Sequence, residues 1–212
     1  MNARTLSLLI AAALSGFAAC ADADEITYDG LGHWSAVEVH LDGSPVSGET
    51  IPAGQILISR DGDPWVAYCL EIEELIQDGT MTLEPLGTLA RGGLAGYLIS
   101  TYGPDVGSDV EGAALQSALW EAMNETSPTY DLFAGDFALP SSSAVATRAN
   151  EMLASAPANP DPADYTAAVL HSDTGQDLLI FDPSVPEPGT AAILAVGFVA
   201  GLARRRRRRP AA

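Results

Sequence analysis

The 212-residue chain has no lysine and only two cysteines, Cys20 and Cys69. Basic charge is nearly confined to its ends. Six Arg stand together at 204–209 and another is Arg4, so the stretch from Asp24 to Val185 sets 26 acidic residues against Arg60, Arg91 and Arg148 alone. A body that acidic repels phosphate backbones, which argues against nucleic acid as a partner. Two cysteines are too few for a disulfide-stapled scaffold or a Cys-rich zinc site. The missing lysines exclude Lys–Asn isopeptide crosslinks, and neither a phosphate loop nor a dinucleotide fingerprint is present. What remains is a foldable chain: 47% of it is hydrophobic, with three Trp, despite a formal net charge of -18. A body of ~160 residues suits one domain with a real core.

Both ends read as addresses. Residues 1–23 have the parts of an export signal: Arg4, a short apolar run from Leu6 to Leu14, and small residues at Ala19-Cys20-Ala21 and Ala21-Asp22-Ala23. Either cut removes Cys20. A lipoprotein acylated at Cys20 is the rival, but Phe17 stands where such signals usually carry an aliphatic residue. Cleavage leaves Cys69 alone in an oxidising compartment, where it has no intramolecular disulfide partner. Residues 184–212 begin with Ser184 to Pro188 as a linker, continue as an uncharged stretch from Thr190 to Ala203, and reach the Arg cluster Arg204–Arg209. The 190–203 stretch is expected to form a short transmembrane helix lengthened by snorkelling Arg side chains. Pro186-Glu187-Pro188, the apolar helix and the terminal Arg run together resemble the PEP-CTERM sorting signal of Gram-negative bacteria. That resemblance implies an exosortase as processing partner, at least transient attachment to the membrane, and delivery to the cell envelope, surface or extracellular matrix.

The body, 24–183, is expected to be α+β: an antiparallel sheet or barrel-like part packed with a helical part in one compact domain. Val37, Val39 and Leu41 alternate with Glu38, His40 and Asp42, the period of a half-buried strand. Ile56-Leu57-Ile58 and Trp65 to Ile72 follow, punctuated by Asp42-Gly43-Ser44-Pro45 and Asp61-Gly62-Asp63-Pro64 turns. The period then changes to helical over Leu89 to Thr101. Ser108 with Glu111 three residues on forms a capping-box pattern that opens a second helix, 109–124. A third, from near Ser142, carries Val145, Ala149, Met152, Leu153 and Ala156 at helical spacing. Tyr165 to His171 and Leu178 to Phe181 read as returning strands. Strands, then helices, then strands is not a repeating βαβ order. If the unit divides at all, Asp78 to Pro85 is the expected boundary.

Two residues carry the candidate chemistry. Cys69, in Trp65-Val66-Ala67-Tyr68-Cys69-Leu70, shares a strand face with Trp65 and Ala67, while Val66, Tyr68 and Leu70 point the other way. Gln116 lies on an apolar helical stripe with Ala113 and Trp120, where an amide is costly unless its donors and acceptors are paired. The plain alternatives are a buried cysteine acting as a small hydrophobe and a Gln bonded to a neighbouring backbone. A Cys/His hydrolase is the enzymatic rival, with His33, His40 or His171 as base, but none sits in a recognisable signature. Asp61-Gly62-Asp63 lacks the rest of a calcium loop, and Glu71, Glu73 and Glu74 read as solvated charge, so neither a metal nor any other cofactor is expected.

Tyr68-Cys69-Leu70 and Leu115-Gln116-Ser117-Ala118-Leu119-Trp120 together resemble the thioester domains of bacterial surface adhesins. The resemblance implies a bond between the Cys69 sulfur and the side-chain carbonyl of Gln116, flanked by Tyr68, Trp65 and Trp120, formed with loss of ammonia. It implies covalent attachment to an amine- or hydroxyl-bearing partner on a surface or exopolysaccharide, in a single turnover and not as an enzyme. The other expectation is a non-covalent structural or exopolysaccharide-associated protein with an inert Cys69. Replacing Pro186, Glu187 and Pro188 by Ala should leave export intact and abolish tail processing. Unchanged processing and localisation in that variant would reduce the tail to a simple anchor.

Overall fold

In a computed structural model the described residues are 23–127, 129–139 and 143–181. Residues 1–22 of the expected 1–23 export signal, the segment 182–212 with its sorting motif and the expected 190–203 span lie outside them. Among the described residues no helix is long and apolar enough to cross a membrane.

Among the described residues eight strands and three α-helices follow one another as β1 (Ala23–Glu38), β2 (His40–Leu41), β3 (Thr50–Arg60), β4 (Asp63–Cys69), β5 (Gly79–Pro85), α1 (Gly92–Tyr102), α2 (Asp109–Asn124), β6 (Phe137–Ala138), α3 (Ala144–Ala154), β7 (Ala167–His171) and β8 (Leu178–Phe181). Six strands close into an antiparallel barrel in the order β1-β3-β4-β8-β7-β5, while β2 and β6 pair as a separate ribbon. The α+β expectation therefore holds.

Alternation along the strands builds two cores. Ile56, Ile58, Ala67, Leu170, Leu178 and Ile180 fill the barrel, whereas Tyr68, Leu70, Val169 and Leu179 point outward into the helical layer. β7 and β8 are buried on both faces, which explains their unbroken apolar runs. Asp61 and Gly62 both take positive φ, 52° and 88°, as a two-residue Asp-Gly hairpin between β3 and β4 requires.

Three expectations are refined. The alternation across Val37, Val39 and Leu41 is real, and all three are buried. The chain nevertheless leaves the barrel after Glu38, and beyond Val39 the residues His40 and Leu41 pair with β6. Asp78 to Pro85 is no domain boundary, since β5 joins β1 to β7 and closes the barrel. The strand Trp65 to Ile72 stops at Cys69.

The central element is α2. Ser108 Oγ accepts the Glu111 N–H at 3.3 Å, Asp109 and Glu111 favour the positive helix end, and every residue from Gly112 to Ala122 is buried. Gly112 lets it approach the barrel: a methyl there would stand 2.2 Å from the His33 carbonyl oxygen. One turn later on the same face comes Gln116.

Glu121, also on α2, has no exposed surface. Its Oε1 accepts the Asp131 N–H at 2.7 Å, while Oε2 has no hydrogen-bond partner. Burial first, with Glu125 and Asp131 adding repulsion that Arg91 opposes, pushes its carboxyl up to about 7. The native state thus keeps a proton that the unfolded chain releases from about pH 4.5 upward. Denaturant titrations should show stability falling as pH rises from about 4.5 to about 7 and levelling above that range. Glu121→Gln should remove this component, and an identical pH profile in that variant would refute it.

Candidate functional site

Cys69 ends β4 where the strand outruns one neighbour. The register with β3 finishes at the Ala67–Ile56 pair, while β8 stays alongside through the pairing of Cys69 with Leu178. The Leu70 N–H turns to β8 and donates to the Asp177 carbonyl at 3.1 Å. Alternation then sends the Cys69 N–H and C=O to the side that β3 has vacated. Gln116 meets both. Its Oε1 accepts the Cys69 N–H at 2.9 Å and its Nε2 donates to the Cys69 carbonyl at 2.8 Å. The side-chain amide stands in for a strand, and with 1% of its surface exposed Gln116 is a satisfied polar group in an apolar layer.

The sulfur has a different partner. Cys69 Sγ donates to Gln176 Oε1 at 2.8 Å, and Gln176 Nε2 donates to the Glu71 carbonyl. Gln176 sits in the β7–β8 turn with 3% of its surface exposed. Some surface of Cys69 remains exposed, yet the sulfur's surroundings are desolvated enough to push its thiol up to about 12, burial being the largest cause. At neutral pH it is a protonated thiol and not a ready-made nucleophile.

The structure thus brings Cys69 and Gln116 together through the Cys69 backbone and gives the sulfur to Gln176. The strand faces are as expected: Trp65, Ala67 and Cys69 share the barrel side, and Tyr68 and Leu70 the helix side. The expected flanking residues lie further off in role. Trp65 packs under the Arg60 guanidinium, 5.0 Å from its ring centre, and Trp120 packs edge-on against Phe137. Tyr68 is buried beside Cys69. Its hydroxyl is pushed upward by burial and tempered by the nearby Gln55, which nonetheless makes no hydrogen bond of normal geometry with it.

Each of the three histidines is engaged by an aspartate. His33 meets Asp109 at 3.2 Å, His40 meets Asp42 at 3.0 Å, and His171 meets Asp177 at 2.9 Å. None of these contacts reaches Cys69. No cluster of potential metal ligands occurs among the described residues.

A cleft of about 750 Å³ opens next to the site. Leu70 and Glu71 line it immediately after Cys69, with Met123 from α2, and so do Asp42, Glu73, Glu74, Asp136 and Asp177. No basic side chain is among its lining residues. Glu71 is held above the usual carboxylate range, by burial first and then by the charges of Asp177 and Glu74, against the pull of the Asp177 N–H bond and His171.

Sequence reasoning missed Gln176. It lies 107 residues from Cys69, in a turn whose only sequence signal is Asp173-Thr174-Gly175 between two apolar runs. Only the β4–β8 register places that turn at the sulfur.

Comparison with known proteins assigns the tail. Residues 184–208 match the PEP-CTERM protein-sorting motif, which marks an exported protein targeted to an exosortase. No curated protein and no solved structure matches the chain.

Gln116→Ala should strand the Cys69 N–H and C=O without partners. Each buried group left unpaired costs about 1–3 kcal/mol, so chemical denaturation should register a loss in that range or somewhat above. A loss below about 0.5 kcal/mol, the scale of an ordinary surface change, would show that water replaces the amide at no cost.

Proposed function

We propose that Cys69 and Gln116 form an internal thioester, by which the exported protein attaches covalently to a nucleophile-bearing partner at the cell surface or in the extracellular matrix. The observation that carries this reading is the seating of the Gln116 carboxamide on Cys69 itself, with the carbonyl oxygen on the Cys69 N–H. That contact polarises the carbonyl and would receive the negative charge that develops on its oxygen under attack. Closure joins the sulfur to the Gln116 side-chain carbonyl carbon; the thiol proton goes to the departing nitrogen, and ammonia leaves. An amine or hydroxyl of the partner then attacks the same carbon. The carbon–sulfur bond breaks, the attacking group's proton passes to the sulfur, and the partner remains joined to Gln116 through an amide or ester. The event occurs once per molecule, so the protein is a reagent and not an enzyme. The carboxylates of the adjacent cleft favour an approaching ammonium group, and the lysine-free chain offers no competing ε-amine of its own.

One observation favours a second reading, a non-covalent structural or exopolysaccharide-associated protein. The sulfur faces Gln176, and Gln116 already has a complete structural role as a substitute strand. Intact-mass measurement on the exported protein separates the two. The thioester makes wild type lighter by one ammonia than either Cys69→Ala or Gln116→Ala does relative to its own calculated mass. Methylamine should add at Gln116 and release a titratable Cys69 thiol in wild type only. Full mass in freshly prepared wild type, with Gln116 unhydrolysed, would leave the structural reading standing.

A further inference from the structure

Two carboxamides bracket Cys69, and each has its orientation set by its own partners. Gln116 must point Oε1 at an N–H and Nε2 at a carbonyl. Gln176 must point Nε2 at the Glu71 carbonyl, which accepts only, so the atom left facing the sulfur is Oε1, an acceptor. The backbone around Gln176 is tied down as well. Its N–H donates to the Leu75 carbonyl at 3.2 Å, and the next N–H, of Asp177, donates to Glu71 Oε2 at 2.7 Å. The Asp177 carboxylate in turn accepts the Ser172 N–H at 2.8 Å and meets His171. A buried side chain so held cannot follow the sulfur if the sulfur moves.

We propose that Gln176 is a positioning residue, a latch that holds the Cys69 thiol off the Gln116 carbonyl and receives it again when the bond opens. The inference rests on the thioester reading above. Before closure the S–H donates to Gln176 Oε1, so the sulfur must leave that oxygen to reach the Gln116 carbon. Closure then strands Gln176 Oε1 in a buried place without its donor. Attack by the partner's amine restores an S–H, and Gln176 Oε1 again accepts it. Gln176 therefore slows closure and favours the opened, partner-linked state, in which the thiol is withdrawn from the new amide.

The test uses freshly synthesised full-length chain and follows loss of one ammonia with time. Gln176→Met keeps the length of the side chain and removes the acceptor oxygen. It should close about fivefold faster than wild type, the factor that corresponds to one ordinary net hydrogen bond. Gln176→Glu at mildly acidic pH, with its buried carboxyl protonated, reproduces both contacts and should close at the wild-type rate. A general loosening of the turn would speed both variants alike. A second measurement guards against a misfolded variant. In a Gln116→Ala background no thioester forms, and iodoacetamide should alkylate Cys69 about fivefold faster when Gln176→Met is added, with the rate restored by Gln176→Glu instead. Wild type that closes while Gln176→Met closes no faster overturns the latch and leaves the thioester intact. Wild type that never loses ammonia overturns the thioester, and the latch with it.

Discussion

A strand that outlasts its neighbour leaves an N–H and a C=O that must be paired, and the architecture around Cys69 follows from that need. β3 stops pairing with β4 at Ala67, and two residues later Cys69 turns its polar backbone toward the helical layer. An apolar side chain from α2 at that point would leave both groups buried and unsatisfied, at about 1–3 kcal/mol each. Gln is the neutral side chain long enough to offer donor and acceptor together from a helix axis. Its reach depends in turn on how closely α2 lies against the barrel, which Gly112 permits at the His33 carbonyl. Gly54 has the same function in the sheet, where any Cβ would overlap His33 and Trp34, and where its φ of +152° already disfavours other residues.

Charge and burial divide the site into two environments. On the cleft side Glu71, Asp177 and their neighbours create a negative entrance, while the sulfur of Cys69, two residues before Glu71, sits where burial keeps it protonated. A thiol in that condition is a poor nucleophile toward external reagents, so chemistry at Cys69 depends on groups held within the fold. None of the three histidine–aspartate contacts includes Cys69, so they do not relieve this.

Much of this was readable in the sequence, for local reasons. The Ser108–Glu111 cap, the bounds of α2 and the two faces of β4 follow from short-range chemistry and period, and each was found. The pairing of Cys69 with Gln116 was legible as two motifs, though not its route through the backbone. Strand β5 escaped because Gly79-Thr80-Met81-Thr82 alternates weakly and its identity as a strand depends on partners on both sides. Gln176 escaped for the same kind of reason: its neighbour is fixed by strand register and not by spacing along the chain. The tail motif needed no fold at all, being recognised as an ordered series of composition changes.

One seam of the barrel lies at its first residues. Ala23–Ile26 pair with Gly79–Thr82, and no other strand of the barrel flanks β1 on that side. An exported chain that emerges amino end first presents this edge long before its mate arrives. For that interval the edge is an unpaired ribbon carrying Asp24 and Glu25, whose like charges discourage two emerging chains from zipping together. For a chain emerging in that order the barrel stays open until Phe181 is free, because β8 and β7 stand between β4 and β5, and the thiol at position 69 emerges well before the Gln176 turn that receives it.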